Sequence, residues 1–138
     1  MPDPDALREV AGRWLAAADD DLRAARLLAE SDEIGPEIAC FHAQQAAEKA
    51  LKAMLIAAWE DVPRSHDLDR LHGLVVGAIG ADDVGLPGKD LAWLAELGLG
   101  GRYPDGSRDD AATPADLERA VNLAAAVVRA AHRALGDE

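Results

Sequence analysis

The segment from Pro36 to Trp59, PEIACFHAQQAAEKALKAMLIAAW, constrains this chain more than any other. At 100° per residue, Ala39, Ala43, Ala46, Ala47, Ala50, Ala53 and Ala57, with Leu51, Met54 and Leu55, occupy most of a helical circumference. A helix apolar nearly all round has to be covered on several sides, so it must run through a bundle and not along its surface. Small alanine side chains allow the neighbouring axes to come close. Composition points the same way: 30 Ala and 18 Leu favour helix. One Phe, one Tyr and three Trp are too few aromatics for a β-sandwich of this length.

The remaining periodicities supply the partners. A first helix follows Pro4, with Asp3 as cap and Asp5 in the first turn, and runs to near Glu30 on a stripe of Leu7, Ala11, Trp14, Ala18, Ala25 and Leu28. The alanine-rich second helix spans roughly 37–59 behind Pro36 and ends before Pro63. Ser65 or Asp67 caps a third helix carrying Leu68, Leu71, Leu74, Val75 and Ile79, which closes at Gly80. A shorter fourth helix opens at Pro87 and carries Leu91, Trp93, Leu94 and Leu97, and residues 98–112, GLGGRYPDGSRDDAA, read as a loop. Thr113, Pro114 and Asp116 then form the signature of a capping box ahead of a last helix striped by Leu117, Val121, Ala124, Val128, Ala131 and Leu135. The expectation is an all-α protein, an antiparallel up-and-down helical bundle of four long helices plus a short one, forming one domain over residues 1–138.

Charge and cysteine usage narrow the function classes. A net charge of −12 argues against non-specific grip on a phosphate backbone, which needs dense Lys and Arg, although a local basic groove remains compatible with it. Cys40 is the one cysteine, so there is no disulfide framework and no cysteine metal site, and it reads as a small buried side chain rather than a nucleophile. The acidic N-terminus lacks a secretory signal and no apolar run approaches a membrane span, so a soluble, cytoplasmic protein is expected. His42, His66, His72 and His132 form no metal-binding pair, and no phosphate-loop motif is present, so neither a metal nor a cofactor is expected.

The polar residues that remain gather around the second helix. His42, Gln45, Lys49 and Lys52 fall on one narrow stripe, at i, i+3, i+7 and i+10, while Gln44 and Glu48 lie on an otherwise apolar flank near the core boundary. The turn Arg64-Ser65-His66-Asp67 and the loop pair Arg102 and Tyr103 complete the set. Taken singly, Lys49 and Lys52 also fit a solvated helix face, His66 a helix start, and Arg102 the partner of a nearby acid.

The stretch ACFHAQQAAEKALKA from Ala39 to Ala53 is similar to the second helix of HEPN-domain proteins. The likeness continues in SHDL from Ser65 to Leu68 with Leu71, in RYP from Arg102 to Pro104 ahead of the final helix, and in Trp14, Asp21, Leu22 and Ala25 of the first helix. The resemblance implies a bundle of four long helices, commonly a homodimer. It also implies one of several roles: partner of a minimal nucleotidyltransferase in a toxin-antitoxin module, ribonuclease, or nucleotide-binding domain. The ribonuclease branch carries an Arg followed, after four to six residues, by a His, and no Arg of this chain has a His at that spacing. Tyr103, beside Arg102, is a nucleotidylation target by analogy with family members.

Two functional readings and one structural reading follow. In the first, Gln45, Glu48, Lys49, Lys52, His66, Arg102 and Tyr103 form a non-catalytic site for a nucleotide phosphate or a nucleotidyltransferase partner, since Lys and Arg suit phosphate and amides read base or ribose edges. In the second, Arg102 and His66 are the atypical centre of a metal-independent RNase toxin, with Glu48 orienting one of them. In the third, Glu48, Gln44 and Arg102 are a buried network that fixes helix register and a dimer seam.

Overall fold

The computed structural model describes residues 3–81, 85, 88–99 and 112–136, which form five helices and, among the described residues, no strand. These are α1 (Pro4–Ala29), α2 (Pro36–Ala57), α3 (Leu68–Ile79), α4 (Gly88–Leu99) and α5 (Pro114–Ala134). The all-α bundle expected from the hydrophobic spacing is therefore the fold the chain adopts.

The helix starts follow the chemistry of their first residues. Asp3 Oδ1 accepts the Asp5 amide at 3.0 Å, and Asp67 Oδ1 accepts those of Asp69 and Arg70 at 3.1 and 3.3 Å. Of the two candidate caps for α3, Asp67 takes the role, while Ser65 Oγ accepts the Asp67 amide at 3.1 Å and shapes the approach. The capping box of α5 is complete: Thr113 Oγ1 accepts the Asp116 amide at 3.1 Å and Asp116 Oδ2 accepts the Thr113 amide at 3.0 Å.

Two boundaries differ from the expected ones. The second helix ends at Ala57, two residues early, because the chain closes there in a Schellman arrangement, with the Glu60 amide bonded to Leu55 O at 2.9 Å and the Trp59 amide to Ile56 O at 3.0 Å. Trp59 occupies the left-handed position, φ 63°, where glycine is usual. At the other boundary, α4 continues through Gly98 and Leu99, which composition alone places in the loop.

In packing, α2 touches each of the other four helices. Its alanines at 39, 43, 46, 47, 50 and 53 are fully buried, together with Leu51 and Leu55. Around it lie Leu15 of α1, Leu68 and Leu71 of α3, Leu91 and Leu94 of α4, and Val127 of α5. Asp21 meets His42, while Trp14 meets Lys52 further from the α1–α2 turn, so the two helices run antiparallel. His132 Nε2 bonds both carboxylate oxygens of Asp19, at 3.0 and 3.1 Å, which joins α5 to α1. Between α4 and α5, the Arg119 guanidinium lies 3.9 Å from the Trp93 ring centroid and donates to Asp90 at 3.3 Å. Among the described residues, no helix is long and apolar enough to cross a membrane.

Candidate functional site

From Ile38 to Ile56, α2 is buried except at Ile38, Phe41, His42, Gln45 and Lys49. Those five positions are one stripe, spaced by three or four residues, so the central helix reaches the surface along a single strip. Its polar part, from His42 to Lys49, extends about 10 Å along the axis.

Two carboxylates organise the polar residues on and beside this strip. Asp21 of α1, with 13% of its side chain exposed, accepts from His42 Nδ1 at 2.9 Å and from Lys49 Nζ at 2.5 Å. Glu48, with 4% exposed, accepts from His66 Nδ1 at 2.9 Å through Oε1 and from Lys52 Nζ at 3.1 Å through Oε2. Each set pairs one carboxylate with one lysine and one imidazole, so each anion is balanced by an ammonium group while its second oxygen orients a ring. Orientation through Nδ1 places the lone pair of the neutral imidazole on Nε2.

The predicted residues thus divide into two groups. Glu48, Lys52 and His66 come together. Lys49 faces away from them, toward Asp21, and Gln45 stands half-buried on the exposed strip between its neighbours. Lys52 shares the helical phase of Lys49 yet keeps only 7% of its side chain exposed, because its ammonium turns inward to Glu48 and lies 5.6 Å from the Trp14 ring centroid. It is therefore neither a solvated face residue nor a free cation. Gln44 is buried beside Glu48 in the sequence pattern and in the fold, at 4% and 3% exposure. Arg102 and Tyr103 lie outside the described residues.

Sequence reasoning missed the roles of Asp21 and His42. Its available signal was the placement of His42 and Lys49 two turns apart on one face, which a single acid on the adjoining helix can serve. His66 is 75% exposed and opens on a cleft of about 510 Å³ that Asp67, Asp69 and Glu96 make acidic. On the opposite side of the chemistry, Cys40 is 1% exposed, and burial, followed by the negative charges of Asp116 and Glu37, pushes its thiol up to about 11. It is a packing residue. No three His, Cys, Asp or Glu side chains among the described residues gather closely enough to hold a metal ion.

The family model for the HEPN domain matches residues 11–134, and the chain belongs to that family. Two crystal structures are similar over nearly the whole chain. TT1696 from Thermus thermophilus is 29% identical, with 90% of this chain and 97% of that one covered and a TM-score of 0.70. ST0689, an archaeal HEPN homologue, is 25% identical, with coverage of 91% and 97% and a TM-score of 0.68. No curated protein matches the sequence.

Proposed function

We propose that this chain is a non-catalytic HEPN component that binds a nucleotide through its phosphates, or docks a minimal nucleotidyltransferase, as a dimer in a toxin-antitoxin type module. The observation that carries this reading is the half-exposed polar strip of α2 in a chain whose net charge is −12. A chain this acidic has little general affinity for phosphate, so a local set of donors has to supply it. Gln45 and Lys49 are the donors on the strip. Glu48, bonded to Lys52 and His66, belongs with them to the proposed set on the side turned away from Lys49, and Arg102 and Tyr103 complete it by their place in the sequence after α4.

Calorimetry on protein stripped of carried-over ligand, with nucleoside mono- and triphosphates, tests the nucleotide arm. Lys49→Ala is expected to weaken binding about tenfold to a hundredfold, from the roughly 1.5–3 kcal/mol of a charged hydrogen bond. Co-expression with the protein encoded beside this one tests the partner arm through co-purification. Absence of both heat and co-purification removes the reading.

One observation favours the ribonuclease alternative: the bond from His66 Nδ1 to buried Glu48 leaves Nε2 of an exposed ring able to exchange a proton. The acidic lining of its cleft works against an approaching polyanion, which is why binding is preferred here. Growth arrest on expression, relieved by both Arg102→Ala and His66→Ala, would reverse that preference. Unaltered growth and intact RNA would end the alternative.

A further inference from the structure

We infer that His42 is a phosphoryl-acceptor site, which takes a phosphoryl group onto Nε2 from a nitrogen-linked donor of the phosphoramidate class. The inference rests on the reading of Gln45 and Lys49 as phosphate ligands and gives them a reaction to serve. His42 Nδ1 donates to Asp21 at 2.9 Å, so the neutral ring carries its nucleophilic lone pair on Nε2. That nitrogen has no partner among the described residues, and the side chain is 32% exposed, so a donor can reach it. Phe41 stands edge-on to the ring, centroids 5.7 Å apart, and limits its rotation. Asp21 orients the imidazole without presenting an uncompensated anion, because Lys49 already balances it at 2.5 Å. Gln45, one turn along the strip, and Lys49, two turns along, supply an amide and an ammonium group for phosphoryl oxygens.

The other three histidines each lack part of this arrangement. His66 is more exposed and equally well oriented, but Asp67, Asp69 and Glu96 line its cleft and repel a phosphoryl dianion. His132 has its Nε2 engaged by Asp19, and His72 is 7% exposed. Exposure alone therefore favours His66, whereas the charge around the ring favours His42.

The step balances without a metal or redox partner. The Nε2 lone pair forms the new P–N bond as the P–N bond of the donor breaks, and the donor nitrogen departs with its electron pair as an amine or ammonia, protonated by water. The product ring is an imidazolium whose Nδ1 proton remains in the bond to Asp21, and that carboxylate balances the new positive charge.

Incubation of the full chain with phosphoramidate at mildly alkaline pH, followed by peptide mapping, tests the site. The expected product gains one phosphoryl group on His42 before His66, stable in alkali and labile in acid, and His42→Gln lacks it. Gln45→Ala and Asp21→Asn are each expected to slow labelling about tenfold while the protein stays folded. Labelling of His66 first, similar rates at several histidines, no label, or native rates in Asp21→Asn would overturn the inference. Nucleotide heat retained with labelling absent refutes this inference alone, and labelling retained with nucleotide heat absent refutes the binding reading alone.

Discussion

Replacing Glu48 by Gln keeps the shape of the side chain and removes its charge. In the native protein Glu48 and Lys52 expose only 4% and 7% of their side chains and are bonded at 3.1 Å. The variant leaves the Lys52 ammonium inside the bundle without a counter-ion, and breaking a buried pair in this one-sided way costs about 3–5 kcal/mol. Two contacts reduce the loss. The Gln carbonyl still accepts a hydrogen bond, and the Trp14 ring, 5.6 Å from the ammonium, contributes a desolvated cation–π interaction of up to ~2 kcal/mol that survives the change. The lower end, about 3 kcal/mol, is expected, which corresponds to a fall of ~10 °C in melting temperature for a chain of this size. Thermal circular dichroism with urea midpoints measures it, at unchanged urea m-value. The double variant Glu48→Gln/Lys52→Met removes both charges and is expected to recover to within ~1 kcal/mol of the native protein. A single variant that melts within two or three degrees of native (about 1 kcal/mol), or a double variant no better than the single, would refute the assignment of Glu48 as the counter-ion that keeps Lys52 buried.

Other outcomes follow from the same geometry. Thr113→Ala removes the hydroxyl that accepts the Asp116 amide, one of the two bonds of the α5 capping box, and is expected to cost about 1 kcal/mol, read as a lower urea midpoint; an unchanged midpoint would mean the cap contributes nothing measurable. His72 is buried with Nε2 unpartnered among the described residues, so His72→Leu is expected to raise stability by about 1 kcal/mol, and a less stable variant would show that packing of the ring outweighs its orphaned nitrogen. Cys40 carries a thiol raised from 9.0 to about 11, so above pH 9 the unfolded chain loses this proton while the folded chain keeps it. Stability is then expected to decline by up to about 1.4 kcal/mol per pH unit between 9 and 11, and Cys40→Ala, which lacks the proton, should flatten that slope.

The bundle was legible because its signals are local. Asp3, Asp67 and Thr113 cap helices through bonds to residues two or three positions away, and the alanine phase of α2 specifies burial on several sides without reference to a partner. The site was legible only in part, because helical phase assigns a direction and not a neighbour. Lys49 and Lys52 are three residues apart and nearly in phase, yet one meets Asp21 at the surface and the other turns beneath Trp14 to Glu48. That difference is decided by which helix lies alongside each position. The His42–Asp21 bond spans 21 residues and depends on the antiparallel register of α1 against α2, which no periodicity reports. Glu48 as the orienter of His66 was accessible, since both belong to the polar set around α2 and a buried acid needs a donor.

The contact of α2 with every other helix also bears on how the molecule opens. A helix at the edge of a bundle can detach while the rest persists, so its amides exchange with solvent through local fluctuations. No single neighbour can detach and expose the α2 backbone on all sides, because the remaining three still cover it. Amides from Ala43 to Leu55 should therefore exchange only when the whole chain unfolds, and their slowest rates should report the global free energy of folding. The same helix that presents the polar strip is thus the last part of the protein to become mobile, which holds Gln45 and Lys49 in fixed register for whatever approaches them.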